Sequence, residues 1–186
     1  LLPMLEEYGD EIFSQADSVV LQADIDRDVV KKCFELAEKY GKKVYSIVSN
    51  MSIVTTRREF LRRFHCFICN QQEAGLLDKS PEEMRDILSE KIAQAQIPSM
   101  VVTMGAKGSV YASLAGEKGI CPARNVVVKD TTGAGDSFCA GVAAGLTYGK
   151  NLAQAVETGT YLAASVITSL ENVCPRFQPA ELGISY

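Results

Sequence analysis

Strand-like and helix-like segments alternate along this chain, and that alternation restricts the fold more than any other feature. Asp17–Gln22 carries the apolar run Val19-Val20-Leu21, and Asp28–Tyr40 then places Val29, Val30, Phe34, Leu36 and Ala37 at helical spacing before Gly41 stops it. Lys43–Val48 reads as the next strand, Arg57–Phe64 as a short helix, Cys66–Cys69 as a strand and Gln71–Leu77 as a helix. Ser80-Pro81-Glu82-Glu83 opens another helix, with Ser80 as N-cap and Pro81 at N1, and Ser99–Met104 returns to strand. Ser109–Leu114, Lys118–Cys121 and Val126–Val128 are short extended pieces of an antiparallel edge, and two closing helices span Ala134–Tyr148 and Leu152–Leu170. Strands separated by helices need crossover connections. The pattern therefore predicts one α/β domain over residues 1–186, a mainly parallel sheet with helices on both faces in three layers, and ligands at the carboxyl ends of the strands.

Composition removes several function classes. Nineteen Lys and Arg stand against 23 Asp and Glu, and the densest basic cluster, Arg57-Arg58 with Arg62-Arg63, is interrupted by Glu59, so no tract tracks a nucleic-acid backbone. No apolar run approaches the roughly 20 residues that span a bilayer, and Leu1-Leu2-Pro3 lacks a basic signal-peptide start. A cytoplasmic protein with no membrane partner is expected. The cysteines at 33, 66, 69, 121, 139 and 174 form no regular framework. Cys66-Phe67-Ile68-Cys69 is formally C-x-x-C beside His65, but within a buried strand it reads as small core residues rather than a metal or redox pair. His65, the sole histidine, reads as structural.

The chemistry concentrates in Asp130-Thr131-Thr132-Gly133-Ala134-Gly135-Asp136, a flexible turn that leads into an apolar, small-residue helix near Ser137. Gly133 and Gly135 can take φ values closed to other residues, so successive N–H groups converge at the positive end of the helix and form an anion site. Gly135 is expected to need backbone freedom, because its N–H must face a phosphate just before the helix start. Asp136 at the rim would hinder phosphate binding but can take a proton from an attacking hydroxyl, which points to phosphoryl transfer. No Gly-Lys-Ser/Thr follows the glycines and G-x-G-x-x-G is absent, so neither a Walker A loop nor a Rossmann fingerprint is present. Asn70-Gln71-Gln72-Glu73 lies at a strand-to-helix junction, where Asn70 and Glu73 share one side of the first turn. A plain capping box would use the same two residues. Thr103-Met104-Gly105-Ala106-Lys107-Gly108 ends a strand in a two-glycine turn.

These segments together resemble the PfkB, or ribokinase-like, family of carbohydrate and nucleoside kinases. The D-T-x-G-A-G-D signature is matched by Asp130–Asp136, N-x-x-E by Asn70–Glu73, and the T-x-G-x-x-G nucleotide loop by Thr103–Gly108. The resemblance implies an ATP-dependent kinase acting on a hydroxyl, usually primary, of a sugar, sugar phosphate or nucleoside. Asp136 would be the base, and Gly133, Ala134 and Gly135 the anion hole. Asn70, Thr103, Gly105, Lys107, Gly108, Gly135 and Thr160 would bind nucleotide. Glu73 would organise Mg²⁺, and Asp130 with Thr132 would contribute to an optional K⁺ site completed by the region of Ser169–Pro175. Thr158-Gly159-Thr160 falls where the family contacts adenine, although a close helix–helix approach explains small residues there equally well. The chain opens inside a helical pattern, and full members carry further N-terminal strands and a lid, so it reads as the C-terminal portion. An inactive, nucleotide-binding or regulatory homologue is the alternative, and a homodimer is an allowed assembly.

Overall fold

The fold is that of a computed structural model, and the description covers residues 1–47, 58–170, 173 and 178–183. Val48, Arg57, residues 171–172 and Cys174–Phe177, on which some sequence expectations fall, lie outside it. Six strands form one sheet in sequence order: β1 Ser18–Gln22, β2 Lys43–Ile47, β3 Cys66–Asn70, β4 Ser99–Thr103, β5 Ser109–Ser113 and β6 Lys118–Cys121. The first four are parallel, and β5 and β6 turn back antiparallel. The register sets Asn70 beside Thr103 at the carboxyl ends of β3 and β4.

The described helices are α1 Leu2–Gln15, α2 Arg27–Lys39, α3 Arg58–Leu61, α4 Pro81–Ala95, α5 Ala134–Thr147 and α6 Leu152–Ile167. Successive side chains of a strand point to opposite faces, and here they feed two separate cores. Val44, Phe67 and Val102 meet Leu5, Phe34, Phe64 and Leu88 under α1 to α4, while Tyr45, Cys66, Ile68 and Val101 meet Phe138, Val142 and Val156 under α5 and α6. This is the three-layer arrangement expected from the alternation. Three helix starts are capped by side chains: Asp26 accepts from the N–H groups of Asp28 and Val29, and Ser80–Glu83 and Asn151–Gln154 form reciprocal capping boxes. None of the described helices is long and apolar enough to cross a membrane.

Helices α5 and α6 pack at backbone distance. A Cβ on Gly141 would lie 2.7 Å from the Gly159 Cα, and one on Gly159 would lie 2.6 Å from the Phe138 carbonyl oxygen. The small residues at 158–160 are thus explained by helix crossing.

Two expectations change. Residues 71–77 form a single turn rather than a helix. Gly75 takes φ +67°, and the bonds Leu76 N–H to Gln71 O (2.9 Å) and Gly75 N–H to Gln72 O (3.1 Å) close a C-terminal cap after one turn. Val126–Val128 is not a strand. The adjoining Lys129 N–H bonds Ile167 O at the end of α6 (2.8 Å), which draws this segment toward that helix rather than to β6. The first closing helix begins at Ala134, as the sequence suggests. Cys66 and Cys69 feed opposite faces of β3, so the C-x-x-C pair cannot chelate. His65 is tied into the sheet, with Nδ1 accepting from the Val44 N–H at 3.2 Å.

Candidate active site

The carboxyl ends of β2, β3 and β4 and the start of α5 enclose a cleft of about 280 Å³ lined by Ile47, Ile68, Cys69, Asn70, Glu73, Thr103, Gly135, Asp136 and Cys139. Five of these were singled out from sequence. Asn70 and Glu73 face the cleft from the end of β3, Thr103 from the end of β4, and Gly135 and Asp136 from the first turn of α5. Residues more than 60 positions apart are brought together because parallel strands end on the same edge of the sheet.

Asn70 and Glu73 satisfy each other. The Asn70 N–H donates to Glu73 Oε2 at 2.7 Å, and the Glu73 N–H donates to Asn70 Oδ1 at 2.9 Å. That is the capping-box pattern on the one-turn helix, and it pins the carboxylate at the cleft wall. Capping and a binding role are therefore not exclusive here: the cap fixes one carboxylate oxygen. Thr103 Oγ1 points back to Cys69 O at 3.5 Å.

Gly133 is the N-cap of α5, with φ +77° and no side-chain cap, so the N–H groups of Gly135 and Asp136 have no partner among the described residues and can meet another acceptor. Ala134 donates to Thr131 O at 3.2 Å, forming the tight turn. The left-handed residue is thus Gly133 alone in this loop. Gly135 lies inside the helix, outside the left-handed region, and a Cβ there would meet nothing within 4 Å. The expectation that Gly135 needs backbone freedom is corrected accordingly.

The two aspartates of the loop differ. Asp130 Oδ1 accepts from both the N–H and the Oγ1 of Thr132 at 2.9 Å, which holds its carboxyl below the usual carboxylate range. Asp130 and Thr132 thus close a turn with each other, and neither lines the cleft. Part of the proposed remainder of a K⁺ site, residues 171–172 and 174–175, lies outside the described residues. For Asp136, no hydrogen bond to the carboxylate forms among the described residues.

The remaining positions lie off the cleft wall. Gly105–Lys107 makes one 3₁₀ turn with Gly105 at φ +57°, Lys107 is exposed, and Gly108 at φ +90° passes against β6, where a Cβ would lie 2.0 Å from Cys121 O. Thr160 is buried, with Oγ1 donating to Val156 O at 2.9 Å and 3.4 Å from Cys121 Sγ. Sequence reasoning missed Ile47, Ile68 and Cys139 as cleft residues and took Cys69 as core only. Cys139 could have been found, since it lies three residues after Asp136 on a helix. Burial, followed by Asp136, Cys66 and Glu73, pushes its thiol up to about 12.

The family model described as pfkB family carbohydrate kinase matches residues 4–173. Guanosine-inosine kinase from Exiguobacterium acetylicum is 32% identical over 160 residues, 84% of this chain and 53% of that protein. Arabidopsis thaliana ribokinase is 29% identical over 172 residues, 89% of this chain and 44% of that protein. Among solved structures, adenosine kinase from Sinorhizobium meliloti superposes with a TM-score of 0.76 at 25% identity, covering 94% of this chain and 55% of that one. The chain spans about half the length of the relatives it matches. Since the match runs through every strand and helix that builds the cleft, the chain belongs to the pfkB family of carbohydrate kinases.

Proposed function

We propose that this chain is the nucleotide-binding and catalytic portion of an ATP-dependent kinase that phosphorylates a hydroxyl of a small sugar, sugar phosphate or nucleoside. The observation that carries this reading is the meeting of a carboxylate unengaged among the described residues, that of Asp136, with a helix start that has no side-chain cap, in one cleft. A helix N-terminus with free N–H groups suits a phosphate, and the open space before Gly135 lets one approach the backbone. ATP would supply the γ-phosphoryl group. Asp136 would accept the proton of the attacking hydroxyl, while the N–H groups of the Gly133–Gly135 turn face the negative charge on the transferred group.

The donor set also fits Mg²⁺. No cluster of three or more acidic, histidine or cysteine ligands occurs among the described residues, so a direct cage is not offered. Mg²⁺ characteristically keeps several waters and takes its other ligands from substrate phosphates, for which the pinned carboxylate of Glu73 is an adequate single partner. Asn70 and Thr103 would border the phosphates. The relationship to a guanosine-inosine kinase makes a purine nucleoside the first acceptor to test.

The test measures phosphoryl transfer from ATP to a panel of nucleosides and sugars by the complete polypeptide and its Asp136→Asn variant. One or more acceptors should be phosphorylated, and the variant should lose about 10²–10⁴ in kcat with ATP affinity within a few fold. Near-normal turnover by the variant would remove the base assignment. Nucleotide binding without transfer to any acceptor would favour the regulatory alternative.

A further inference from the structure

Besides Asn70, Glu73, Thr103, Gly135 and Asp136, the cleft is lined by Ile47, Ile68, Cys69 and Cys139, none of which carries a strong hydrogen-bond donor. Cys139 and Cys69 are both buried, at 6% and 4% exposure. A helical side chain leans toward the N-terminus and covers the turn before its own Cα. Cys139 therefore underlies the Gly135–Asp136 turn.

The neighbouring hydroxyl is directed elsewhere, since Thr103 Oγ1 points to Cys69 O. Glu73 Oε2 takes its bond from a backbone N–H at the wall. Burial first, and then the nearby carboxylates of Asp136 and Glu73, keep the Cys139 thiol protonated at neutral pH, and Cys69 is pushed up as well, chiefly by burial. A protonated thiol donates weakly.

Resting on the reading of Asp136 as the base, we propose that Cys139 is a positioning residue: a small, at most weakly donating side chain that leaves the Asp136 carboxylate free to accept from the acceptor hydroxyl. A donor at 139 would stabilise the charged carboxylate and weaken it as a base. Bulk matters less than donation.

The experiment compares Cys139→Ser with Cys139→Ala in the complete polypeptide, with ATP-binding sites counted by calorimetry so that kcat is per competent site. Cys139→Ser should lower kcat by about five- to tenfold with the KM for ATP within twofold, because hydrogen bonds to charged groups are the stronger class. Cys139→Ala should keep kcat within about twofold, a margin corresponding to well under the strength of one such bond. Equal kcat in the two variants, with or without a drop in melting temperature, would reduce the position to packing and overturn the proposal. Asp136→Asn is measured alongside: if it turns over normally, the base reading itself fails, whereas an inactive Asp136→Asn with equal Ser and Ala variants fails the role of Cys139 alone.

Discussion

Gly108 and Gly135 both stand in glycine turns at the carboxyl edge of the sheet, yet the fold needs only one of them. At Gly108 the backbone is left-handed and a Cβ would meet Cys121 O at 2.0 Å and Ala123 N at 2.7 Å. At Gly135 the backbone is helical and a Cβ would find open space. Gly108 is thus explained by packing, whereas no described residue explains Gly135, and the proposed function would explain it by a phosphate. The same contrast separates Asp130, which is consumed by its own turn, from Asp136, which is not.

The sharpest way to break this contrast is to add one methyl group at each glycine. Gly108→Ala should cost about 3 kcal/mol or more of unfolding free energy, because a left-handed conformation and a backbone clash act together. Chemical denaturation checks it, and a wild-type midpoint would show that β6 yields easily. Gly135→Ala should leave stability unchanged or raised by up to about 1 kcal/mol, since alanine is the better helix former. Its ATP affinity should fall by about tenfold, one lost charge-assisted contact to phosphate. Calorimetry that finds wild-type binding there would leave Gly135 without any explanation from ligand or fold.

Gly133→Ala should fall between the two, losing about 1–2 kcal/mol for the left-handed N-cap and weakening ATP binding with it. Thermal denaturation with and without ATP separates the two effects. The smallest change is expected from Glu73→Gln, which can still accept from the Asn70 N–H. It should raise the Mg²⁺ concentration for half-maximal activity by a few fold with a stability change of about 0.5 kcal/mol or less, as for a substitution that keeps its hydrogen bond. If Mg²⁺ dependence is unmoved and only stability drops, Glu73 is a cap and nothing more.

Much of this arrangement was legible before any coordinates. The strand–helix alternation gave the parallel sheet because periodicity is local, and Ser80-Pro81 marked the start of α4 because caps are local too. The segment from 71 to 77 reads as a helix because a helix start and a helix stop overlap there: Asn70 signals one, Gly75 the other, and only the four residues Gln71–Ala74 lie between them. Val126–Val128 has strand composition without a strand partner, and pairing is decided by distant chain. At the site, Asp136, Glu73 and Thr103 were readable as motif residues, but the apolar part of the lining was not. Ile47 and Ile68 look like any strand isoleucine until the register shows which of them ends at the cleft.

The crossing of α5 and α6 has a mechanical consequence. Where backbone touches backbone, at Gly141 and Gly159, there are no long side chains to flex, and a close-packed contact of that kind has little compliance. The jaw of the cleft that carries Asp136 is therefore an anvil. If Asp136 is the base proposed above, its place is set by this crossing of two helices rather than by anything the ligand has to move.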